Sequence, residues 1–354
     1  MPIYLDHAAT TAPEARVIDE MMRCMRMANP SAAYSAAGEA RRELRLARQQ
    51  IARMLHVDHT AVYFTSCGSE ANAWAMRADP HAAVSAIEHA SVLHAAPNAV
   101  RIAPNTDGVI TPESVERALT PDIRLISVQW ANNETGVLQP IADIYPVVKK
   151  HGALFHVDAV QAFGHVPVDA RHCDMLTLSA HKFCGPRGAG CLYIRPGVRI
   201  PPLIPGTQES GRRGGTENVP AVCGMRVAAE MAEQDLLERM QREEALMNHF
   251  LDELAIPGMR VLGGNAAKLP GVRAIHIPGL DSETAIARLD LMGIQVSGGA
   301  ACQAGLHEPS HVYLAMGLSP TEARQVLRIS IGRYTTSDEL HQAAQALRSL
   351  AMMK

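Results

Sequence analysis

Short apolar segments alternate with helical patterns between residues 61 and 195 of the chain. The segments at 61–65, 83–87, 124–130, 154–157 and 175–179 are rich in apolar and β-branched residues, which predicts buried strands. Helices are predicted between them, at 111–119, where Pro112 suits the first helical position, and at 141–151, where Gly152 follows the last turn. This alternation is typical of an α/β fold with a mostly parallel sheet and helices on both faces.

One connection in this region is too short for a parallel crossover. The apolar segment at 189–194 follows the predicted strand at 175–179 across too few residues for a helix, so we expect the two strands to be antiparallel neighbours. In sheets of this kind, reactive groups collect at the carboxyl ends of the parallel strands. The residues that end each predicted strand are therefore the first candidates for chemistry.

The pattern changes in the last third of the chain. One long helical stretch rich in Ala, Met, Leu and Glu covers residues 222–254, and shorter units follow it: strands at 272–277, 294–297 and 327–330, a helix at 282–292 and a final helix from Ser337. We expect a large domain of residues 13–230 that contains the mostly parallel sheet. A smaller α+β domain is expected from residues 1–12 and 231–354, with the long helix as the bridge.

Composition and charge narrow the class of protein. Hydrophobic residues make up 47% of the 354 residues and charged residues 19%, which is typical of a globular chain. The formal net charge of −3 and an aromatic content of 4% favour neither nucleic acid nor an anionic membrane as a direct partner. No apolar run approaches the roughly 18 residues of a membrane span. Asp6 and His7 interrupt the start of the chain where a secretory signal would be apolar, and the seven cysteines contain no CxxC pair. We expect a cytoplasmic enzyme with reduced thiols and no metal site.

Lys182 is the most informative residue of the predicted large domain. It comes just after a buried strand, in Ser179-Ala-His-Lys182, and a glycine-rich turn follows it. Burial penalises a lysine charge unless the amine is partnered or consumed in a Schiff base. A lone lysine would more often lie on the surface of a turn, but the hydroxyl, the imidazole and the glycine-rich turn could also hold a phosphate.

Three further strand ends carry polar side chains. Asp158 ends an apolar strand, where its carboxylate could pair with a protonated ring nitrogen, although an aspartate that caps a helix would look similar. Gly68 and Ser69 lie in a small-residue turn between a strand and a helix, which is a weak signal for phosphate binding on its own. His89 follows another strand, where its ring could stack on a cofactor, although a lone histidine is more often structural.

Together these segments resemble the cysteine desulfurases of the NifS/IscS class, which are fold type I pyridoxal 5′-phosphate (PLP) enzymes of the class V aminotransferase family. The resemblance covers nearly the whole chain, and the order and spacing of its motifs make it specific. The motifs are Tyr4-Leu-Asp-His-Ala-Ala-Thr-Thr11, Asn29-Pro-Ser31, Thr65-Ser-Cys-Gly-Ser-Glu70, Glu88-His-Ala90, Asn132-Asn-Glu-Thr-Gly136, His156-Val-Asp-Ala-Val-Gln161, Ser179-Ala-His-Lys182, Gln208-Glu-Ser-Gly-Arg-Arg-Gly-Gly-Thr-Glu-Asn218, Ser297-Gly-Gly-Ala-Ala-Cys302 and Leu327-Arg-Ile-Ser-Ile-Gly-Arg-Tyr-Thr-Thr336.

The resemblance implies a role for each candidate residue. Lys182 would be the Schiff-base lysine, Asp158 the partner of the pyridine nitrogen, and His89 the residue that stacks on the ring, with a further role in acid/base chemistry open. Gln161 would contact the phenolic oxygen of the cofactor. The phosphate would be bound by Gly68, Ser69, Ser179 and His181, and by Thr216 from the other subunit of a homodimer. Asn133 and Arg328 would bind the substrate, with the Arg328 guanidinium on its carboxylate.

Cys302 would be the acceptor of sulfur. It lies in a stretch of small residues, whereas the other six cysteines have apolar, strand or turn surroundings and are read as small hydrophobic residues. The implied activity converts L-cysteine to L-alanine and leaves a persulfide on Cys302 for a sulfur-acceptor protein, either an iron–sulfur scaffold or a thiolation enzyme. The alternatives are a selenocysteine lyase, another PLP lyase or aminotransferase, and a catalytically silent scaffold.

Three positions depart from the family pattern. Tyr34 stands where the family commonly has a histidine, so a role near the substrate carboxylate cannot be transferred to it. Thr207 replaces a common glycine and Ser210 an arginine, which leaves the shape of that loop open. The identity of the final sulfur acceptor is also open, since iron–sulfur assembly, tRNA thiolation and DNA phosphorothioation are all compatible with these residues.

Overall fold

A seven-stranded sheet organises most of the chain. The computed structural model describes residues 2–299 and 308–352. The strands of this sheet are β2 (Val62–Thr65), β3 (Ala82–Ser85), β4 (Val100–Ile102), β5 (Leu125–Ser127), β6 (Leu154–Asp158), β7 (Met175–Ser179) and β8 (Gly190–Ile194). The strand order is β2-β8-β7-β6-β5-β3-β4. Strands β3 to β7 are parallel to one another, which confirms the predicted mostly parallel sheet.

The antiparallel connection is also confirmed. Strand β8 pairs antiparallel with β7, because the short link contains only a turn of 3-10 helix at Ala180–Lys182 and a tight loop. Strand β8 also pairs antiparallel with β2, so β2 runs in the same direction as β7. The carboxyl ends of β2, β6 and β7 therefore lie at one edge of the sheet.

Helices cover both faces of this sheet. They are α1 (Ala15–Cys24), α2 (Ala37–Leu55), α3 (Gly68–Ala75), α4 (Ala90–Ala95), α5 (Pro112–Ala118), α6 (Ile141–His151), α7 (Gln208–Gly211) and α8 (Val219–Gln234). Neighbouring strand residues face opposite cores: Ile126 and Leu176 pack in one cluster, Leu125 and Met175 in the other. A parallel sheet buried on both faces explains why its strands are nearly continuous apolar runs.

The remaining strands form two small sheets. Strands β9 (Arg260–Val261), β10 (Val272–His276) and β12 (Val326–Ser330) form an antiparallel sheet, and β1 (Ile3–Tyr4) pairs parallel with β11 (Ile294–Gln295). The helices of this part are α9 (Leu236–Leu254), α10 (Ser282–Leu291), α11 (His311–Ala315), α12 (Pro320–Ala323) and α13 (Ser337–Met352). Leu5, Phe250, Ile275, Ile329 and Leu347 belong to a separate hydrophobic cluster.

The prediction of one continuous helix over residues 222–254 is wrong. Helix α8 ends at Gln234 and α9 begins at Leu236, with the non-helical Asp235 between them. The Asp235 carboxylate accepts hydrogen bonds from the guanidinium groups of Arg239 and Arg333. This break lets α8 pack on α1 and α2 while α9 packs on α13. Among the residues that the structure describes, no helix combines the length and apolar character needed to cross a bilayer.

Candidate active site

Three of the predicted site residues lie at the shared edge where β6 and β7 end. Asp158 is the last residue of β6, Ser179 is the last residue of β7, and Lys182 follows one turn of 3-10 helix later. His89 precedes α4 on the same side, after β3. We call Asp158, Lys182 and His89 the strand-end cluster. The structure brings them together because parallel strands present their carboxyl ends at the same edge.

The amine of Lys182 is held by the N-terminal segment of the chain. Its Nζ donates to the backbone carbonyl oxygens of Ala8 at 2.7 Å and Ala9 at 2.8 Å. Gln161, which is 7% exposed, donates from Nε2 to the same Ala8 oxygen at 2.9 Å. The Nε2 atom of His165 lies 2.8 Å from the backbone oxygen of Lys182, and burial lowers the pKa of this imidazole to about 4, so the neutral ring donates from Nε2.

Asp158 is buried, at 6% exposure, and both of its oxygens accept hydrogen bonds. The backbone N–H of Val160 donates to Oδ1 at 2.9 Å, and the side-chain amide of Asn72 donates to Oδ2 at 2.7 Å. These donors stabilise a carboxylate in a buried position. Asn72 was not predicted as a site residue, although a buried asparagine in the first turns of α3 is an unusual choice for a helix that packs on a core.

His89 is fixed by the first turn of α4. Its Nδ1 accepts from the backbone N–H of Ser91 at 3.1 Å and lies 2.8 Å from the Ser91 hydroxyl. Burial lowers the pKa of His89, so the imidazole is neutral near pH 7. Because Nδ1 is an acceptor, the ring proton is on Nε2.

The turn after β2 forms a cradle beside the end of β7. A Cβ atom on Gly68 would lie 2.9 Å from Cγ2 of Val160 and 3.3 Å from Cβ of Ser179, so only glycine fits. Ser69 is exposed in the first turn of α3, where backbone N–H groups have no helical acceptor. The Nδ1 atom of His181 lies 3.1 Å from the Thr10 hydroxyl, and burial lowers the pKa of His181 to about 4. Hydroxyls and free N–H groups at a helix start suit a phosphate.

A loop on the surface approaches this cradle. Arg213 forms an ion pair with Glu70 of α3 at 2.8 Å, and Thr216 is exposed nearby in sequence. Glu209, two residues after Thr207 and just before Ser210, adopts a positive φ of 47° and accepts from the Arg48 guanidinium at 2.7 and 2.8 Å. The buried Glu209 also accepts from the backbone N–H of Phe64 on edge strand β2, so the loop is attached to the large sheet as well as to α3.

Arg328 lies on β12, at a distance in sequence from the strand-end cluster. It is 2% exposed, and its guanidinium donates to Oδ1 of Asp6 at 2.6 Å and to the backbone oxygen of Asn133 at 2.8 Å. Its Nε is buried without a hydrogen-bond partner among the described residues. We call Arg328, Asp6 and Asn133 the arginine corner. A buried guanidinium with a donor to spare is suited to bind a carboxylate.

The segment that contains Cys302 starts beside the arginine corner. Ser297 pairs with Arg328 through two backbone hydrogen bonds of 2.7 and 3.3 Å, and Gly299 follows with a positive φ of 103°. A Cβ on Gly299 would lie 2.5 Å from the Tyr313 hydroxyl and 2.6 Å from Oε2 of Glu134. Cys302 itself lies outside the described residues. Of the other cysteines, Cys24, Cys173, Cys191 and Cys223 are buried, and Cys67 and Cys184 are half-buried.

A buried chain of polar side chains beneath the strand-end cluster was also missed. The Ser127 hydroxyl lies 3.1 Å from Oε1 of Glu88 and 2.9 Å from Nδ1 of His156, whose Nε2 lies 3.0 Å from the Thr177 hydroxyl. All four side chains are fully buried. Burial raises the pKa of the Glu88 carboxyl well above its usual value and lowers the pKa of the His156 imidazole to about 3.

The donor set of the site fits PLP. It combines a lysine amine, a carboxylate held in place by N–H groups, a neutral imidazole, and a glycine cradle at a helix start that a Cβ would fill. An amine is needed to bind the aldehyde, an anion to partner the ring nitrogen and N–H groups to bind the phosphate. The fold and the site together define an α/β PLP enzyme of fold type I.

Comparisons with known proteins agree with this class. The Aminotransferase class-V family model matches residues 3–342, and the chain belongs to this family of PLP-dependent enzymes. The cysteine desulfurase of Nostoc sp. (strain PCC 7120 / SAG 25.82 / UTEX 2576) is 36% identical over 366 residues, which cover 98% of this chain and 92% of that protein. The cysteine desulfurase IscS of Clostridium botulinum (strain Hall / ATCC 3502 / NCTC 13319 / Type A) is 34% identical, with coverages of 98% and 93%.

A solved structure extends the likeness to the whole fold. The X-ray structure of a NifS-like protein from Rickettsia africae ESF-5 superimposes with a TM-score of 0.93 at 33% sequence identity and covers 100% of both chains. The resemblance to NifS- and IscS-type proteins and the predicted fold class are therefore confirmed.

Proposed function

We propose that this protein is a cysteine desulfurase that removes sulfur from L-cysteine, releases L-alanine and carries the sulfur as a persulfide on Cys302. The observation that carries the proposal is the position of Ser297 on Arg328. Ser297 begins the segment that leads to Cys302, and it lies next to Arg328, whose guanidinium is suited to bind a substrate carboxylate. The same chain also contains the strand-end cluster. The similarity over the full length to cysteine desulfurases supports the same activity.

Each residue that would hold PLP carries a chemical group that matches one part of the cofactor. Lys182 would bind the aldehyde carbon, Asp158 the ring nitrogen, Gln161 the phenolic oxygen and His89 the ring face. The phosphate would be bound by Gly68, Ser69, Ser179 and His181 and, from a second copy of the chain, Thr216. When bound, PLP supplies an electron sink that stabilises negative charge at the substrate Cα.

The chain's own side chains would then act on L-cysteine in separate roles. The Arg328 guanidinium pairs with the substrate carboxylate, and Asn133 helps to orient it. The Lys182 amine would take the proton from Cα, and the Asp158 carboxylate would pair with the ring nitrogen in its protonated form. Asp158 is the last residue of β6 and Gln161 follows three residues later, so both lie at the carboxyl end of this strand.

The Cys302 thiolate attacks the substrate sulfur. A sulfur–sulfur bond forms, the bond between Cβ and sulfur breaks, and its electron pair remains on carbon, where protonation yields L-alanine. Cys302 then carries one additional sulfur atom. An aminotransferase has no need of this thiol, which separates the proposal from other activities on the same fold.

Partners and location form the finer part of the proposal. A homodimer is supported by Thr216, which is exposed on a loop that Arg213 attaches to α3 and Glu209 attaches to β2. The final acceptor would be a second protein, an iron–sulfur scaffold or a thiolation enzyme. A cytoplasmic location suits a catalytic thiol, since a reducing compartment keeps Cys302 free.

We propose that residues 13–230 form the large domain and that residues 1–12 and 231–354 form the small one. The separate hydrophobic cluster around Phe250 and Ile329, and the pairing of β1 with β11, support this division.

The experiment measures both products of one turnover. Purified protein loaded with PLP should convert L-cysteine to L-alanine without any keto acid, and peptide mass mapping during turnover should find one additional sulfur on Cys302. Cys302→Ser should bind PLP but release almost no alanine. Cys67→Ser and Cys184→Ser are the matched controls and should retain activity, with stability changed by no more than about 1–2 kcal/mol.

The outcome also separates the alternatives. Alanine formation by Cys302→Ser at the parental rate would refute the desulfurase and favour a lyase that needs no thiol. A much higher rate with L-selenocysteine than with L-cysteine would identify a selenocysteine lyase, and a requirement for a keto acid would identify an aminotransferase.

A further inference from the structure

Asn72 links two members of the strand-end cluster that come from different elements. Its Nδ2 donates to Oδ2 of Asp158 at 2.7 Å and to the Ser91 hydroxyl at 2.9 Å. The Ser91 hydroxyl in turn lies 2.8 Å from Nδ1 of His89. Asn72 is 1% exposed, so these contacts are shielded from solvent. A single buried amide on α3 therefore contacts the end of β6 and the first turn of α4.

The direction of each hydrogen bond follows from the groups involved. The amide nitrogen of Asn72 can only donate, so the Ser91 oxygen is an acceptor towards it, and the Ser91 hydroxyl proton is directed to Nδ1 of His89. The reverse amide orientation would place the Asn72 oxygen against the Asp158 carboxylate, which is repulsive. The Ser91 backbone N–H also donates to this Nδ1 at 3.1 Å, so both Ser91 groups favour an unprotonated Nδ1 and a proton on Nε2 of His89, and Asn72 acts on the tautomer through the hydroxyl alone.

Asp158 is immobilised by the same amide. Its Oδ1 is tied to the backbone of Val160 and its Oδ2 to Asn72, so the carboxylate cannot rotate about its Cβ–Cγ bond without losing a hydrogen bond. Its remaining lone pairs keep a constant direction, which is what a partner of a ring nitrogen requires.

Packing alone does not account for this asparagine. The Oδ1 atom of Asn72 is buried and has no hydrogen-bond partner in the described part of the chain, which costs free energy. An apolar side chain of similar size, between the buried Ala71 and Trp74, would avoid that cost. The amide is therefore better explained by its two donated hydrogen bonds than by packing.

We propose that Asn72 is a positioning residue that sets the orientation of Asp158 and, through Ser91, the tautomer of His89. This inference rests on the proposed roles of Asp158 and His89 towards PLP. It extends them by naming the group that couples the residue for the ring nitrogen to the residue for the ring face.

The first test reads the tautomer without any turnover. Protein labelled with ¹⁵N-histidine and prepared without PLP should show His89 with a protonated Nε2 and an unprotonated Nδ1. Asn72→Leu removes both donated hydrogen bonds, and Asn72→Asp reverses their polarity in nearly the same volume. Both variants should raise the fraction of the tautomer protonated on Nδ1 above its parental value, while the Ser91 backbone N–H still favours the parental tautomer. Ser91→Ala should do the same with a smaller change in volume, which protects the test if an Asn72 variant does not fold.

The second test uses the PLP-loaded enzyme. Asn72→Leu should lower kcat for L-cysteine by about tenfold to a hundredfold with KM nearly unchanged, because one hydrogen bond to a charged group is lost. In the Asp158→Ala background, the same substitution should lower kcat by less than about threefold, since residues that act together are not additive.

Gln139→Leu is the matched control. Gln139 is also buried, at 5% exposure, and its amide contacts the backbone of Ile110 at 2.7 Å and of Gly108 at 2.9 Å, apart from the cluster. This variant should lower stability while the His89 tautomer and kcat stay at the parental values.

Two results would overturn the proposal. One is a parental His89 pattern in folded Asn72→Leu and Ser91→Ala. The other is an Asn72→Leu loss that is fully additive with that of Asp158→Ala. If the parental protein makes no alanine, the proposed function fails, but the tautomer measurement without PLP still decides the role of Asn72.

Discussion

The strand-end cluster and the arginine corner place charged groups in buried positions by different means. In the strand-end cluster, backbone groups and one amide satisfy Lys182 and Asp158 at the edge of a sheet that is covered on both faces. In the arginine corner, Arg328 and Asp6 form an ion pair of 2.6 Å between residues 322 positions apart. The first arrangement lies at the edge of one sheet, with the Lys182 amine held by the N-terminal segment, and the second is assembled from three distant parts of the chain.

This difference has a functional meaning. Dipoles fixed on a rigid sheet are pre-organised for a developing charge, which affects the rate of chemistry. An ion pair between distant segments can exchange one partner for another, which suits a group that binds and releases a substrate carboxylate. Substitutions in the strand-end cluster should therefore act mainly on kcat, and substitutions in the arginine corner mainly on KM.

The largest expected effect comes from Lys182→Ala. Loss of the amine that moves the Cα proton should lower the rate of alanine formation by more than about a thousandfold. Exposed Lys150 offers a control, and Lys150→Ala should be neutral. In the parental protein, borohydride reduction and peptide mapping should find the pyridoxyl label on Lys182, and a label on another lysine would contradict the assignment.

Asp158→Ala should have the next largest effect. PLP should remain bound through the phosphate contacts, while kcat for L-cysteine falls by at least about a hundredfold because the ring nitrogen loses its anionic partner. Steady-state kinetics and the absorbance of bound PLP measure the two parts separately. Turnover at the parental rate would show that Asp158 is only a structural carboxylate.

Arg328→Lys tests the arginine corner while keeping a positive charge for Asp6. The guanidinium fork is lost, so KM for L-cysteine should rise by about tenfold to a hundredfold, with a smaller change in kcat. With cysteamine, which has no carboxylate, KM should differ less between the parental protein and Arg328→Lys. A fall in kcat with unchanged KM would remove the distinction between the two regions.

The smallest effect should come from Glu243, which lies between the two regions, and should be on stability alone. Glu243 of α9 is 2% exposed and lines a small cavity with His7, Gln161 and His165. Burial raises the pKa of Glu243 from its ordinary value of 4.5 to about 7. Between these values the folded chain binds more protons than the unfolded chain, so this residue lowers stability as the pH rises through that window.

Glu243→Gln removes this titration. The variant should be more stable than the parent by about 1–3 kcal/mol at pH 8 and should differ little near pH 4, as measured by chemical denaturation. Neither kcat nor KM should change by more than about threefold. A stability difference that is independent of pH would mean that the Glu243 carboxylate does not titrate in this way.

Local pattern was enough to predict much of the large sheet. The strand Met175–Ser179 and the helix Ile141–His151 were predicted with the bounds that the structure has, and the antiparallel β8 followed from a link too short for a crossover. Lys182 and Asp158 were identified because a charged residue next to a continuous apolar run is costly to bury without a purpose. These inferences needed only residues within a few positions of each other.

Other features escaped prediction because their partners are far apart in sequence. At the break between α8 and α9, Asp235 is bound by the nearby Arg239 and by Arg333, almost a hundred residues later. The apolar period continues on both sides of Asp235, so the local pattern does not predict the break. Asn72 and Ser91 gained a role only when α3 and α4 were placed beside the end of β6.

The sequence by itself determined most strands of the large sheet and which chemical groups end them. It did so because apolar period, turn residues and helix ends are local properties. Only the tertiary structure decided that β2 pairs with β8, that β1 pairs with β11 and that Asp6 meets Arg328. The reason is that an apolar face specifies that it must be buried but not against which partner, and pairing between distant segments depends on how the whole chain packs.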